Sequence, residues 1–238
     1  MTTSRASQHV LVITAHPDDA DVHAGGTLAR WVDEGHRIHS VVVTDGDKGH
    51  DDPSMTAIQV ADLRRAEQRA SADILGIHQV TFLGYEDGAL SWHGARLSED
   101  VTRLIRQQRP EVVITHDPYA GPPRYAPYQL HPDHRAVGFA VIDAVYFRAP
   151  GHLYYPAQAA AGLAPHRVSE VLLIMGDHRD HFVDIGPTFE RKLQAVRAHA
   201  SQWGKRRDLE AFLRQRAERM GEAGGLALAE GFKRLLPG

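Results

Sequence analysis

Residues 9 to 27 constrain this chain more than any other stretch. An apolar run from Val10 to Ile13 empties into His16-Pro17-Asp18-Asp19, and Gly25-Gly26 come shortly after. A short continuous apolar run is what a strand buried on both faces looks like, so Val10 to Thr14 reads as a parallel strand of an α/β sheet. Its carboxyl end carries one imidazole and two carboxylates. Ligands of open α/β sheets bind outside the carboxyl ends of the strands, which makes this turn the first candidate site.

The rest of the chain supports that fold class. Gly26 to Glu34 reads as a helix stopped by Gly35, and His39 to Thr44 as the next strand, giving a strand, helix, strand unit with a right-handed crossover. A helical pattern over Met55 to Leu75 is succeeded by a strand at Val80 to Leu83, a helix at Ser98 to Gln108 and a strand at Glu111 to Thr115. Strands are expected again at Val168 to Met175 and His181 to Ile185. Closing helices are expected at Thr188 to His199, Leu209 to Met220 and Leu226 to Leu235. The expected architecture is α/β, with a mostly parallel sheet and helices on both faces. Between Pro118 and Gln129 four prolines and three tyrosines exclude regular structure, so this stretch reads as a long loop at a strand exit.

Composition narrows the chemistry. At 238 residues the chain suits a single domain over 1–238, and a net charge of −3 gives no electrostatic case for nucleic acid or an anionic membrane. With no cysteine, thiolate metal sites and a cysteine nucleophile are excluded, and any metal must be held by His, Asp or Glu. No stretch approaches the roughly 18 apolar residues needed to span a bilayer, so a cytoplasmic protein is the expectation. Sixteen histidines are informative only where they cluster. They cluster at His16, beside Asp18 and Asp19, and at His131-Pro132-Asp133-His134, where Pro132 suits the first turn of a helix running to about Phe147.

Two imidazoles and one carboxylate with an open position is a set that catalytic zinc uses. Two competing readings are weaker. The turn lacks the Gly-x-Gly-x-x-Gly spacing of a dinucleotide site and its carboxylates would repel phosphate, so close packing better explains Gly25 and Gly26. A Ser-His-Asp triad lacks a serine in a nucleophile-elbow context.

Ala15 to Asp21 with Gly25-Gly26-Thr27, and His131 to His134 with Arg135-Ala136-Val137-Gly138, resemble the paired signatures of the PIG-L (LmbE-like) family of zinc-dependent deacetylases. Similarity continues through Arg64 to Glu67, Phe82 to Tyr85, Asp87-Gly88, Thr115 to Pro118, Val183 to Ile185, Lys192, Ala195 and His199 to Gln202. The resemblance implies a Rossmann-like fold and hydrolysis of an N-acyl group, first of all acetyl, on a glucosamine-containing small molecule. It makes His16, Asp19 and His134 ligands of Zn2+, with Fe2+ or Co2+ as chemically suitable substitutes. It also makes Asp18 the general base and His131 the group facing the developing oxyanion. Asp133 and Asp21 stand behind these, Asp133 as the partner that fixes the His131 tautomer. Arg64, Asp87, His116 and Tyr125 are candidates for substrate contacts. The family commonly has Glu where this chain has Asp21, and Gly121 to Leu130 looks like an insertion. A homo-oligomer is compatible with the sequence. The rival functions are an amidase acting on a larger amide, such as a thiol conjugate or antibiotic intermediate, and a non-catalytic carbohydrate-binding protein.

Overall fold

The computed structural model describes residues 7–119 and 131–237. Its strands are β1 (His9–Thr14), β2 (Arg37–Thr44), β3 (Gln79–Tyr85), β4 (Val112–His116), β5 (Glu170–Ile174), β6 (His181–Asp184) and β7 (Ala229–Leu235). Its α-helices are α1 (Asp19–Asp33), α2 (Ala57–Leu75), α3 (Gly94–Gln108), α4 (Pro132–Asp143) and the short α5 (Pro156–Ala160). After them come α6 (Phe189–Ala198), α7 (Ala200–Trp203) and α8 (Leu209–Gly224). The strands form one seven-stranded sheet in the order β3-β2-β1-β4-β5-β7-β6. All pairings from β3 to β5 are parallel, and β7 runs antiparallel to both β5 and β6. Among the described residues no helix is long and apolar enough to cross a membrane.

Successive side chains of a strand point to opposite faces, and β1 shows what that does here. Leu11 and Ile13 join a core with Leu97, Val101 and Ile105 of α3 and Val137 and Val141 of α4. Val10 and Val12 join another with Ala24 and Leu28 of α1 and Ala72 and Leu75 of α2. Both faces are therefore covered by helices, as an all-apolar parallel strand requires. A third cluster packs α1, α6 and α8 together through Val22, Leu193, Val196 and Leu213. It forms the wall of the molecule next to the β1 turn.

Two elements depart from the expected ones. The first helix begins at Asp19, not at Gly26, so Asp19 and Asp21 lie in its first turn, where the positive end of the helix dipole favours them. Gly25 and Gly26 sit inside this helix because a neighbour comes close. A β-carbon on Gly26 would stand 2.7 Å from Cβ and Cγ2 of Ile185. Gly26→Ala is expected to lower stability by about 1–3 kcal/mol through overpacking, read from chemical or thermal unfolding. A loss within error of zero would show that Ile185 yields.

The second departure is Leu226 to Leu235, which reads as a helix but forms β7 from Ala229 onward. Gly225, at φ 69°, ends α8 in the left-handed region and turns the chain back. β5 and β6 then offer unpaired edges, and pairing with both outweighs a weak helical pattern. Phe232 is completely buried as a result.

Candidate metal centre and active site

The strand order reverses between β1 and β4: β1 leads outward to β2, and β4 to β5. A crevice opens where the two connections part, at the carboxyl ends of β1 and β4. The chain places His16, Asp18 and Asp19 after β1, His116 at the tip of β4, and His131 and His134 around the start of α4. These two motifs lie far apart in the sequence and meet because their strands are neighbours.

His16 Nδ1 lies 3.1 Å from His134 Nε2 and 3.6 Å from Asp19 Oδ2, and His134 Nε2 lies 3.3 Å from Asp19 Oδ1. A tetrahedral zinc with bonds of about 2.0–2.1 Å separates its ligand atoms by roughly 3.3 Å, close to the His16–His134 and His134–Asp19 Oδ1 spacings, while Asp19 Oδ2, the oxygen nearer His16, also accepts the His16 N–H at 2.8 Å. Other candidate donors nearby are already engaged. His116 Nε2 accepts from the Ala15 N–H at 3.0 Å, and His131 Nδ1 accepts from the Asp133 N–H at 3.2 Å. Asp133 accepts from the N–H groups of Gly88 and Leu90 at 2.6 and 3.1 Å.

Carboxylates surround His16. Its Nε2 lies 3.0 Å from Asp87 Oδ1 and 3.4 Å from Asp133 Oδ2. A carboxylate on the far nitrogen fixes the ring so that Nδ1 faces the centre. Burial opposes the charged ring, yet Asp133, Asp19 and Asp87 together hold the His16 pKa well above the ordinary imidazole value. Asp19 shows the reverse: burial pushes it up, but His134 and His116 outweigh burial and keep it well below the usual carboxylate range. Asp87, also opposed by burial, is brought to about 2 by His16. The centre therefore gathers the carboxylates of Asp19, Asp87 and Asp133 around His16 and His134, a set of donors that could hold a metal ion.

Asp18 is held in a strained turn. Its φ of 82° is left-handed, a conformation that costs a non-glycine residue about 1–3 kcal/mol unless the surroundings impose it. They do so through Gln68, whose Oε1 accepts the Asp18 N–H at 3.0 Å, and through Arg64, which donates to Pro17 O at 2.8 Å. Gln68 is in turn held by Asp21 Oδ2 at 2.9 Å, and His199 Nε2 donates to the same oxygen at 2.9 Å. The Asp18 carboxylate receives the indole N–H of Trp203 at 2.8 Å and sits 3.4 Å from Arg64 Nη2. Burial raises its pKa despite the pull of Arg64.

Near this turn opens a cavity of about 580 Å³. His16, Asp18, Asp19, His131, His134, Arg64 and Asp87 all line it, together with Lys48, Gln202, Trp203, Arg206 and Phe212. His131 is half-buried, and with Nδ1 engaged, its neutral ring carries the proton on Nε2. Burial, reinforced by His16 and His134, holds its pKa below the ordinary value and favours that neutral form.

Two expectations change. His116 does not reach the cavity: it is 1% exposed and stacks on His134 with centroids 4.2 Å apart, so it supports the centre from beneath. Asp133 fixes the Gly88–Leu90 turn and sits against His16. It touches His131 only through its backbone N–H, because its side chain, at the second position of α4, reaches toward the turn after β3. Tyr125 lies outside the described residues. Gln68 and Trp203 were not singled out from the sequence. Their only signal was adjacency to Glu67 and Gln202, which end two of the similar stretches.

Residues 11–145 match the family model PIG-L, described as GlcNAc-PI de-N-acetylase. This chain belongs to the PIG-L family. Diacetylchitobiose deacetylase of Thermococcus kodakarensis is 34% identical to it over 233 residues, covering 96% of this chain and 83% of that one. The 1D-myo-inositol 2-acetamido-2-deoxy-alpha-D-glucopyranoside deacetylase of Mycobacteroides abscessus is 31% identical, covering 85% and 82%. Among solved structures, the N,N'-diacetylchitobiose deacetylase of Pyrococcus horikoshii in complex with its inhibitor MPG aligns with a TM-score of 0.87. Its identity is 33%, over 98% of this chain and 85% of that one. The PIG-L match spans β1 through α4 and so contains both halves of the candidate centre.

Proposed function

We propose that this PIG-L protein is a metal-dependent N-deacetylase that releases acetate from a small molecule containing N-acetylglucosamine. The observation that carries this function is the triangle of His16, Asp19 and His134 at the edge of a cavity that Asp18 also lines. His16 Nδ1, an oxygen of Asp19 and His134 Nε2 would hold the metal, zinc first, since imidazole and carboxylate donors suit it. A divalent cation there supplies Lewis acidity toward an amide carbonyl and brings the pKa of water near 7.

The side chains do the rest. Asp18 takes a proton from the attacking water as its oxygen bonds to the acetyl carbon, and returns that proton to the amine nitrogen as the C–N bond breaks. His131 offers Nε2–H to the carbonyl oxygen as it gains charge, a contribution of about 3–4 kcal/mol where such a donor is preorganised. Arg64 and Asp87 face the same cavity and present a donor and an acceptor to sugar hydroxyls. The diacetylchitobiose and inositol-linked deacetylases, which act on N-acetylglucosamine units by their descriptions, support this substrate class.

The test is a screen of N-acetylglucosamine conjugates with zinc-loaded protein for acetate and primary amine. No release from any conjugate would sink the proposal. His134→Ala is expected to lose stoichiometric metal by elemental analysis, and activity with it, because a set reduced to one imidazole and one carboxylate holds a transition metal weakly. Retention of one equivalent of metal by this variant would refute the ligand assignment.

A further inference from the structure

The four-residue helix α7 and the residue before it are tied to four separate parts of the fold. His199 Nε2 donates to Asp21 of α1 at 2.9 Å. Ser201 gives its N–H to Glu67 Oε1 of α2 at 2.7 Å and its hydroxyl to Glu67 Oε2 at 2.6 Å. Gln202 donates to Gly49 O, in the loop after β2, at 2.6 Å. Trp203 closes the helix and donates its indole N–H to Asp18 Oδ2, in the turn after β1, at 2.8 Å. The indole also lies along Phe212 of α8, with ring centroids 6.0 Å apart and planes 26° from parallel.

Helix α2 holds both partners of that last bond. Arg64, Glu67 and Gln68 stand three and four residues apart and so share one face of the helix. Arg64 donates to Pro17 O and Gln68 accepts the Asp18 N–H, while Glu67 fixes α7. What these contacts leave open is rotation of the Asp18 carboxyl about χ2, a soft torsion in aspartate. Arg64 Nη2 reaches Asp18 Oδ1 at 3.4 Å, so the indole makes the shorter contact. An indole N–H donates, never accepts and carries no charge. It therefore stays bonded to Oδ2 whether the carboxyl is ionised or holds a proton on Oδ1. A cation in its place would favour the ionised form and oppose uptake of that proton.

We propose that Trp203 is a positioning residue of the deacetylation, holding the Asp18 carboxyl in one orientation through both of its proton transfers. The proposal rests on the deacetylase function with Asp18 as its base. Trp203 acts through Asp18 and exchanges no proton itself.

Trp203→Phe keeps an aromatic ring beside Phe212 and removes the donor. With zinc-loaded protein and an N-acetylglucosamine conjugate that the wild type hydrolyses, kcat is expected to fall by about 10–100-fold, with KM within about twofold and metal content retained. In the Asp18→Asn background the same substitution is expected to cost nothing further, because the group it orients is already gone. NMR supplies a readout independent of turnover. The chain has three tryptophans, and the indole N–H resonance missing in Trp203→Phe is expected to move upfield in Asp18→Asn, where a neutral amide oxygen replaces a carboxylate oxygen. An unchanged kcat, a rise in KM alone, an equal loss in both backgrounds, or an indole resonance unmoved by Asp18→Asn would each overturn the role of Trp203. These results leave an active wild type and the deacetylase function intact. If the wild type hydrolyses no conjugate, the deacetylase function itself fails and Trp203 has no reaction to serve.

Discussion

Asp18→Asn is expected to keep its metal and its fold and to lose about 10²–10⁴-fold in kcat, the usual contribution of a positioned general acid–base group. Asparagine is nearly isosteric with aspartate and tolerates the left-handed backbone at this position. Its carbonyl oxygen can still accept the Trp203 indole N–H. The substitution therefore removes the proton acceptor and leaves the turn in place. The raised pKa of the wild-type carboxyl, driven by burial, makes it a better base than an exposed aspartate, and an amide retains none of that basicity. Acetate release, metal content and the unfolding midpoint are measured on one preparation. Activity above a tenth of wild type, with metal retained, would remove Asp18 from the mechanism. Ligand affinity that survives while turnover disappears would separate an enzyme from a carbohydrate-binding protein of the same fold.

The second large effect is on stability. Glu230→Ala is expected to cost about 3–5 kcal/mol, because it strands Lys192 as an uncompensated buried charge. Lys192 is 5% exposed and Glu230 4%, and the pair links α6 to β7 while Glu230 also reaches the backbone of α1. Burial already holds the Lys192 pKa below its ordinary 10.5 even with Glu230 in contact. Without Glu230 it falls further, so the unfolded chain binds more protons than the folded one between that depressed value and the ordinary one. Stability of the variant accordingly rises with pH across this window, and its deficit relative to wild type shrinks. Urea unfolding at neutral and at alkaline pH measures both quantities. The double variant Lys192→Met/Glu230→Leu, which replaces the pair with apolar groups, is expected to recover most of the loss. A single-variant cost below 1 kcal/mol, or a deficit that does not vary with pH, would contradict this account.

Much of the site was legible because its chemistry sits next to strong local signals. Val10 to Ile13 could only be a buried strand, and the turn leaving a buried parallel strand lies at the ligand edge of the sheet. His131 and His134 were readable through Pro132, which marks the start of α4. The start of α1 was hidden because Gly25 and Gly26 look like an opening, whereas the reason for them, the approach of Ile185, lies far along the chain. β7 was hidden for the same kind of reason: only the presence of two open strand edges makes Ala229 to Leu235 extended. Asp21, the departure from the family pattern, becomes clear through His199 and Gln68, neither of which is near it in sequence. Asp133 was matched to His131 because the two are close in sequence, while its side chain serves the turn after β3 and sits against His16. Local pattern, then, points to the groups to which the chemistry is assigned; the groups that hold them in place come from long-range contacts and do not announce themselves.

The place of β7 between β5 and β6 has a consequence for synthesis of the chain. During translation β5 leaves the ribosome well before β7 exists, with β6 and α8 made in between. Over that interval the outer edge of β5, an entirely buried Glu-Val-Leu-Leu-Ile segment in the finished sheet, is an open strand edge able to pair with another chain. The nascent chain thus keeps this edge open until β7 inserts, and the strand that closes it also carries Glu230, the partner of Lys192.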